Sequence, residues 1–352
     1  MLEFYQGKRV FVTGHTGFKG SWLCRILLNA GAQVTGFALE PPENQPALYP
    51  LADVAQRMHS VYGDIRDFSA LRAAFDEAQP EIVFHLAAQP IVRDSYARPV
   101  YTYETNVMGT VHLLECARLA GCVRSLLNVT TDKVYDNQEW HWGYRETDAL
   151  DGFDPYANSK SCSELVTHSY IRSFFAGGTT AVSTARAGNV IGGGDFAPFR
   201  IVPDCVRALQ EGKPIVLRNP HSVRPYQHVL EALAAYLLIA QRQYEDPALA
   251  GCYNVGPDEG DCLTTGELAD LFIEACHGAI RRVDAPESHA VHEAAFLRLD
   301  TSRLKGVLGW QPRWNASEAI RRTVEWSQCY LSGGSTAACM DAQIAAYFAP
   351  RA

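Results

Sequence analysis

The stretch RVFVTGHTGFKGSWLCRILLNAGAQVTGFAL, residues 9–39, constrains the fold more than any other part of the chain. Residues 9–14 are a short β-branched apolar run closed by glycine, the pattern of a buried parallel strand. Trp22, Leu23, Ile26 and Leu27 then recur at helical spacing, and Gly31 ends that helix. Residues 33–39 read as a second strand. Gly14, Gly17 and Gly20 stand at the first turn of this strand–helix–strand unit. Glycines there let backbone approach a pyrophosphate and present it to a helix N-terminus.

The alternation continues. Residues 81–88 and 125–131 read as strands, 103–121 and 159–176 as helices, and a further strand opens TAVSTARAG. This predicts an α/β fold, a Rossmann-like doubly wound parallel sheet. Ligands bind such sheets at the carboxyl ends of the strands. Gly14, His85 to Gln89, Thr131 to Lys133 and Asn189 all fall at or just after strand ends, so they are expected to share one crevice.

From about residue 190 the texture changes. IGGGDFAPFRIVPD reads as a long loop rich in glycine and proline, followed by a helix over 202–212 and a strand over 214–219. With 352 residues the chain has room for two domains. The expected division is 1–190 for the dinucleotide, with a return segment at about 225–255, and 191–352 mainly for a smaller, interleaved substrate domain. Residues 331–352 look like a glycine-linked helical appendage of unassigned role.

A net charge of −8 gives no reason to expect a nucleic-acid partner. No apolar run has the length of a membrane span, and MLEFYQGKRV lacks a signal-peptide pattern. None of the ten cysteines forms a C-x-x-C pair, and most lie in apolar segments. Free thiols in a reducing cytoplasm are expected, with no disulfide framework and no metal site.

Two short patterns carry chemistry. In LLNVTTDKVY an apolar strand stops at a hydroxyl, a carboxylate and an ammonium in a row: Thr131, Asp132, Lys133. In DPYANSK, Tyr156 and Lys160 stand four apart, on one face of a helix. A phenol ordinarily ionises near pH 10. A neighbouring ammonium and an oxidised nicotinamide would favour its phenolate and make Tyr156 a base.

With GHTGFKGSWL, HLAAQPIVRDSY, TNVMGT, TTDKVYDNQEWHWGYRETD, DPYANSKSCSEL, GNVIGGGD and VRPYQHVLE, the chain resembles the extended short-chain dehydrogenase/reductase family to about residue 325. Within it, the chain resembles the sugar-nucleotide 4,6-dehydratases, and their CDP-glucose branch above the dTDP-glucose branch, which has a glutamate where this chain has Lys133. The resemblance implies a hydro-lyase that turns CDP-glucose into its 4-keto-6-deoxy product, with hydride passing from C4 to C6 by way of bound NAD. It implies that Tyr156 takes the 4-hydroxyl proton, Thr131 bonds that hydroxyl and Lys160 orients the cofactor ribose. Asp132 would protonate the departing 6-hydroxyl. Lys133 would be either the C5 base or a charged stabiliser of the enolate.

Binding roles follow from the same resemblance. Gly14, Thr16, Gly17, Phe18, Lys19, Gly20, Asp64, Ile65, Leu86, Ala87, Ala88, Gln89 and Asn106, with Tyr156 and Lys160, would hold the cofactor. His85, Gln89, Ser95, Asn189, Arg200, Val202, Arg218 and Arg224 would hold the substrate. Asp64 is either the acid that meets adenine or a helix N-cap. Tyr226 stands where the related pattern has Trp. Strand two ends in FALEPP, with Ala38 near the usual ribose-binding acid and Glu40 two residues on, so NAD is favoured and NADP stays open. A homodimer through a four-helix bundle of 103–121 and 159–176 is expected, burying Val166, Tyr170 and Phe174. The resemblance also implies a place in dideoxyhexose synthesis for surface polysaccharide. The alternatives are a related epimerase or decarboxylase, a carbonyl reductase, and a non-catalytic nucleotide sensor.

Overall fold

The computed structural model describes residues 1–285 and 296–350. Its centre is a seven-stranded sheet of β1 (Arg9–Thr13), β2 (Gln33–Ala38), β3 (His59–Tyr62), β4 (Ile82–His85), β5 (Ser125–Thr131), β6 (Ala181–Ala187) and an edge strand, Cys252–Val255. All neighbours pair in parallel. Every residue of β4, β5 and β6 is buried, as helices on both faces of a parallel sheet require.

Strand order reverses at β1, whose neighbours are β2 and β4. The turn after β1 and the loop after β4 therefore flank one crevice. His85, the last residue of β4, pairs with Asn128, so β5 runs three residues further and carries Thr131 over the crevice floor.

The helices depart from expectation in detail. The first, Phe18–Asn29, agrees, and Gly31 leaves it at φ +78°. The region expected as one helix over 103–121 is a short helix Pro99–Tyr103, a π turn Glu104–Met108 and a helix Gly109–Ala120. The second expected helix starts earlier, at Pro155, because Asp154 caps it by accepting from the Ala157 amide. It also ends in a π turn, Ile171–Phe175.

Beyond residue 190, the helix Ile201–Glu211 and strand Ile215–Leu217 match expectation. They pack with the helices Thr265–Ala275 and Ala316–Leu331 around Val202, Cys205, Leu217, Leu268 and Ile320, a second and smaller core. The helix Val229–Glu245 returns to the sheet. Its Leu230, Leu233 and Leu237 join Leu127 and Val129 in the main core. The final helix, Thr336–Phe348, does follow a glycine link, yet it is no appendage. Met340, Ile344 and Tyr347 enter the main core, the Asp341 carboxylate binds Arg25 at 2.8 Å, and the Tyr347 hydroxyl donates to Glu231 at 2.8 Å. All ten cysteines are free, and no helix among the described residues is long and apolar enough to cross a membrane.

Candidate active site

The glycine turn is built by close contact. Gly14 has φ +74°, and a Cβ on it would lie 2.8 Å from the Ala87 nitrogen. A Cβ on Gly20 would lie 2.1 Å from the Gly14 carbonyl oxygen. The turn thus packs directly on the 86–89 loop, while Gly17 is exposed and leaves the first amides of the Phe18–Asn29 helix without a side-chain cap. Such a cradle suits a dinucleotide pyrophosphate. Thr16 donates to the Leu39 carbonyl at 2.9 Å, tying the turn to the end of β2.

His15, inside this turn, was not singled out from the sequence. Its ring is buried, bonds Ser60 at 2.6 Å, and fills the space over Gly36, where a Cβ would meet it at 2.3 Å. Burial pushes its pKa down to about 4, so it stays neutral. Asp64 accepts from the Arg66 guanidinium at 2.7 Å, and the helix cap beside it is Asp67, which accepts from the Ala70 amide at 3.0 Å. The N-cap alternative for Asp64 therefore falls. Ile65 is buried against Gly109.

At the end of β5 the backbone leaves the sheet in a single turn, Asp132–Val134, with Thr131 as its cap. Thr131 Oγ1 donates to Asp132 Oδ1 at 3.0 Å. Lys133 Nζ donates to the same oxygen at 3.3 Å and to Asn189 Oδ1 at 3.5 Å. Asp132 is 1% exposed and its Oδ2 has no partner among the described residues. A buried carboxylate oxygen without a partner calls for one, from water or from a bound molecule.

Tyr156 enters from the first turn of the Pro155–Tyr170 helix. Burial pushes its pKa up to about 12, against the pull of its bond to Thr131 and of the Arg200 charge. Lys160 Nζ donates to the Val129 carbonyl at 3.1 Å, and burial lowers it to about 8, opposed by Glu164. The expected phenolate at neutral pH is therefore not what these surroundings alone produce: burial outweighs the neighbouring cations. Lys19 lies over the Tyr236 ring at 5.9 Å. Its pKa falls to about 7, through burial first and then the Arg200 and Lys160 charges. Arg200 pairs with Asp195 at 2.9 Å. Lys19 feels the Arg200 and Lys160 charges, and Arg200 also acts on Tyr156, so three basic groups lie near one another in a cluster that suits phosphate groups.

Several expected ligands are placed elsewhere. His85 is buried with both ring nitrogens taken, by Thr13 at 2.7 Å and Thr110 at 3.1 Å. It holds the end of β4, with no ring nitrogen left over for a further bond. Ser95 is fully buried and donates to the Val92 carbonyl at 2.7 Å. Val202 lies in the second core. Gln89 is spent on its own loop: its amide donates to Ile91 O and Thr102, and its carbonyl accepts from the Ile91 amide. Asn106, in the π turn, ties the Gln89 backbone to Ser159 and so fixes the loop on the Tyr156 helix. Arg218 reaches Asp204 at 3.3 Å and stacks on Phe199. Arg224 is buried and donates to the Val223 carbonyl at 2.8 Å.

Beneath the site lies a polar layer not anticipated from the sequence. Glu164, one turn after Lys160, accepts from Thr130, from Thr184 at 2.8 Å and from Arg186 at 3.0 Å. The signal for it was present: a charged Arg186 inside an apolar strand needs a buried partner.

The comparisons with known proteins agree with this geometry. The family model described as GDP-mannose 4,6 dehydratase matches residues 11–323. The chain is 45% identical to the CDP-glucose 4,6-dehydratase of Salmonella typhimurium, over 98% of this chain and 97% of that one. It is 26% identical to dTDP-glucose 4,6-dehydratase 1 of Escherichia coli, over 92% of this chain and 93% of that one. Among solved structures, the UDP-glucose 4-epimerase of Thermus thermophilus in complex with NAD superposes with a TM-score of 0.78 at 28% identity, covering 91% of this chain and 98% of that one. The fold and the strand-end constellation thus carry a family assignment that spans nearly the whole chain: it belongs to the GDP-mannose 4,6 dehydratase family.

Proposed function

We propose that this protein is an NAD-dependent CDP-glucose 4,6-dehydratase, a hydro-lyase that forms CDP-4-keto-6-deoxy-D-glucose. The observation that carries this reading is the pairing of buried Asp132 with half-buried Lys133 at the end of β5, beside Tyr156 and Thr131. An oxidation and reduction at C4 alone needs only the phenol, the threonine and Lys160. A buried acid and an amine in addition serve an elimination. The 45% identity to the Salmonella enzyme supports the nucleotide and the sugar.

The bound dinucleotide would supply a hydride acceptor and donor, held on the glycine turn and by Lys160. The chain's own residues supply the rest. Tyr156 accepts the 4-hydroxyl proton once the positive nicotinamide offsets part of the burial that keeps its phenol protonated. Thr131 holds that hydroxyl in line. The 4-ketone then acidifies C5. Asp132 Oδ2 delivers a proton to the departing 6-hydroxyl, and Lys133 faces the C5 position either as base or as a charge that steadies the enolate. Asn189 fixes the Lys133 ammonium. Arg200 and Lys19 meet phosphate oxygens. Substrate recognition falls mainly to residues after 190, apart from the 225–255 return segment.

We also assign a homodimer. Val100, Met108, Leu119, Leu165 and Phe174 are all exposed on the helices 99–120 and 155–175, as a bundle face would be. Val166 and Tyr170 turn inward toward the chain's own core, so Phe174 is the one bundle residue of the three that stays outside. Ten free thiols favour a cytoplasmic setting.

The test is incubation of purified protein with CDP-glucose and catalytic NAD. The expected outcome is 4-keto-6-deoxy product with no net NADH. Product that appeared only with stoichiometric NADH would replace the dehydratase by a reductase. A C4 epimer without loss of water would replace it by an epimerase.

A further inference from the structure

One group of titratable side chains takes no part in the proposed chemistry. Cys252 opens the edge strand and pairs in register with Thr184 of β6. Its sulfur lies 3.1 Å from His168 Nε2, and that nitrogen lies 3.5 Å from the Glu164 carboxylate. Glu164 is fully buried, whereas His168 is 28% exposed and Cys252 is half-buried, so the cluster reaches solvent on the side of the imidazole and the thiol. The one nitrogen, Nε2, thus faces both the sulfur and the carboxylate, which lie within 4.8 Å of each other, and the carboxylate is paired on its inner side with the Arg186 guanidinium.

The neighbours of the sulfur can be named from each packed element. β6 contributes Thr184 and Arg186, the Pro155–Tyr170 helix contributes Glu164 and His168, and the Ser302–Leu308 helix brings Arg303 over the Tyr253 ring. The carboxylate cannot turn away to serve as a metal ligand without giving up Thr130, Thr184 and Arg186. Its fixed charge instead favours an imidazolium at His168; burial and the nearby carboxylate disfavour a thiolate at Cys252, and the imidazolium bond at 3.1 Å outweighs them, with help from Thr184 and Arg186. Among the described residues no other cysteine has an imidazole bond. Cys24, Cys116, Cys205 and Cys276 are buried, and burial raises Cys122, Cys162, Cys262 and Cys339.

We propose that Cys252 is a nucleophilic thiolate held by His168 and Glu164, and a modification site for soft electrophiles. With an alkyl halide the sulfur lone pair forms the S–C bond, the carbon–halogen bond breaks and halide leaves. With a peroxide the S–O bond forms, the O–O bond breaks, and the departing hydroxide takes the His168 imidazolium proton to become water, leaving the sulfur as a sulfenic acid and the imidazole neutral. The site lies on the sheet's open edge and shares Glu164 with Thr130, the residue before Thr131.

The experiment is limited iodoacetamide labelling of the native protein at pH 7, with each cysteine followed by peptide mass spectrometry. Cys252 should label on the order of tenfold faster than the next cysteine, since an ordinary thiol is only a few per cent ionised there. Its rate should fall less steeply from pH 8 to pH 6 than that of an unpaired thiol, which slows about tenfold per pH unit. His168→Gln should bring its rate down to that of the others. Even labelling across the half-buried cysteines, or a Cys252 rate that falls with pH like a free thiol, overturns the proposal. So does a His168→Gln protein that is folded by circular dichroism and labels Cys252 as fast as before.

Discussion

The two faces of β5 and β6 are made of alternate residues of the same strands, and toward the carboxyl ends, past Ser125 and Leu126 of β5 and Val182 and Ser183 of β6, they differ in kind. Toward the Val229–Glu245 helix point Leu127, Val129, Ala185 and Ala187, which meet hydrocarbon. Toward the Pro155–Tyr170 helix point Asn128, Thr130, Thr184 and Arg186, which meet Ser163, Glu164 and Thr167 through hydrogen bonds. Apolar burial contributes free energy in proportion to area, with little regard to orientation. A buried polar layer stabilises to the extent that its donors find acceptors, and its directional bonds oppose sliding and rotation of the helix. The helix so fixed is the one that carries Tyr156 and Lys160. Both faces of the sheet carry apolar core, and the alignment of the site rests on the polar layer of one of them.

The comparison can be broken or sharpened by substitution. The largest effect is expected at the end of the polar side. Tyr156→Phe removes the proton acceptor and keeps the ring, so turnover should fall about 10²–10⁴-fold. The thermal midpoint should stay close to wild type. Near-normal turnover would show that another group takes the proton. Glu164→Gln comes next. It leaves the buried Arg186 short of its counter-charge and should cost about 3–5 kcal/mol in urea unfolding. Because Glu164 also supports the Lys160 cation, the folded variant should show an altered pH profile of turnover.

On the apolar face, Leu127→Ala should cost about 2–5 kcal/mol and leave the pH profile of the folded fraction unchanged. An equal change of profile in both variants would show that the two faces do not divide the work. The smallest effect is in the pH dependence of stability. Glu164 is held down to about 2 from 4.5, first against its own burial and chiefly by His168 and Arg186. A depressed carboxyl contributes stability above the unfolded pKa, and that contribution is lost as pH falls from about 5 toward 2. His168 is raised to about 9 by its bonds to Cys252 and Glu164, so its contribution is complete below about pH 6.5 and lost as pH rises through 9. Thermal midpoints should therefore decline on both sides of about pH 5–6.5. Glu164→Gln should flatten the acid arm, and Leu127→Ala should lower the curve without changing its shape.

Much of this was legible in the sequence because it is written in local patterns. The glycine turn, the strand at 125–131 and the Tyr156–Lys160 spacing follow from turn sterics and periodicity over a few residues. Helix ends were less legible. Asp154 caps its helix four residues ahead of the apolar stripe, and two π turns shift the phase near Asn106 and Ile171. The terminal helix was unreadable as part of the core, since its partners Arg25 and Glu231 lie hundreds of residues earlier or on another element.

The sequence by itself determined which chemical groups stand at the strand ends and that a parallel sheet would bring those ends to one edge. Only the tertiary structure decided what each group can do there. His85 and Ser95 stand in the right segments, yet packing turns them into the protein and uses up their bonds. Lys133 meets Asn189, fifty-six residues on, and Asp132 is left with one unmatched oxygen. The reason is physical. Conformation along a strand or turn is set by neighbours in sequence, whereas burial, charge pairing and the pKa values that follow from them are set by neighbours in space.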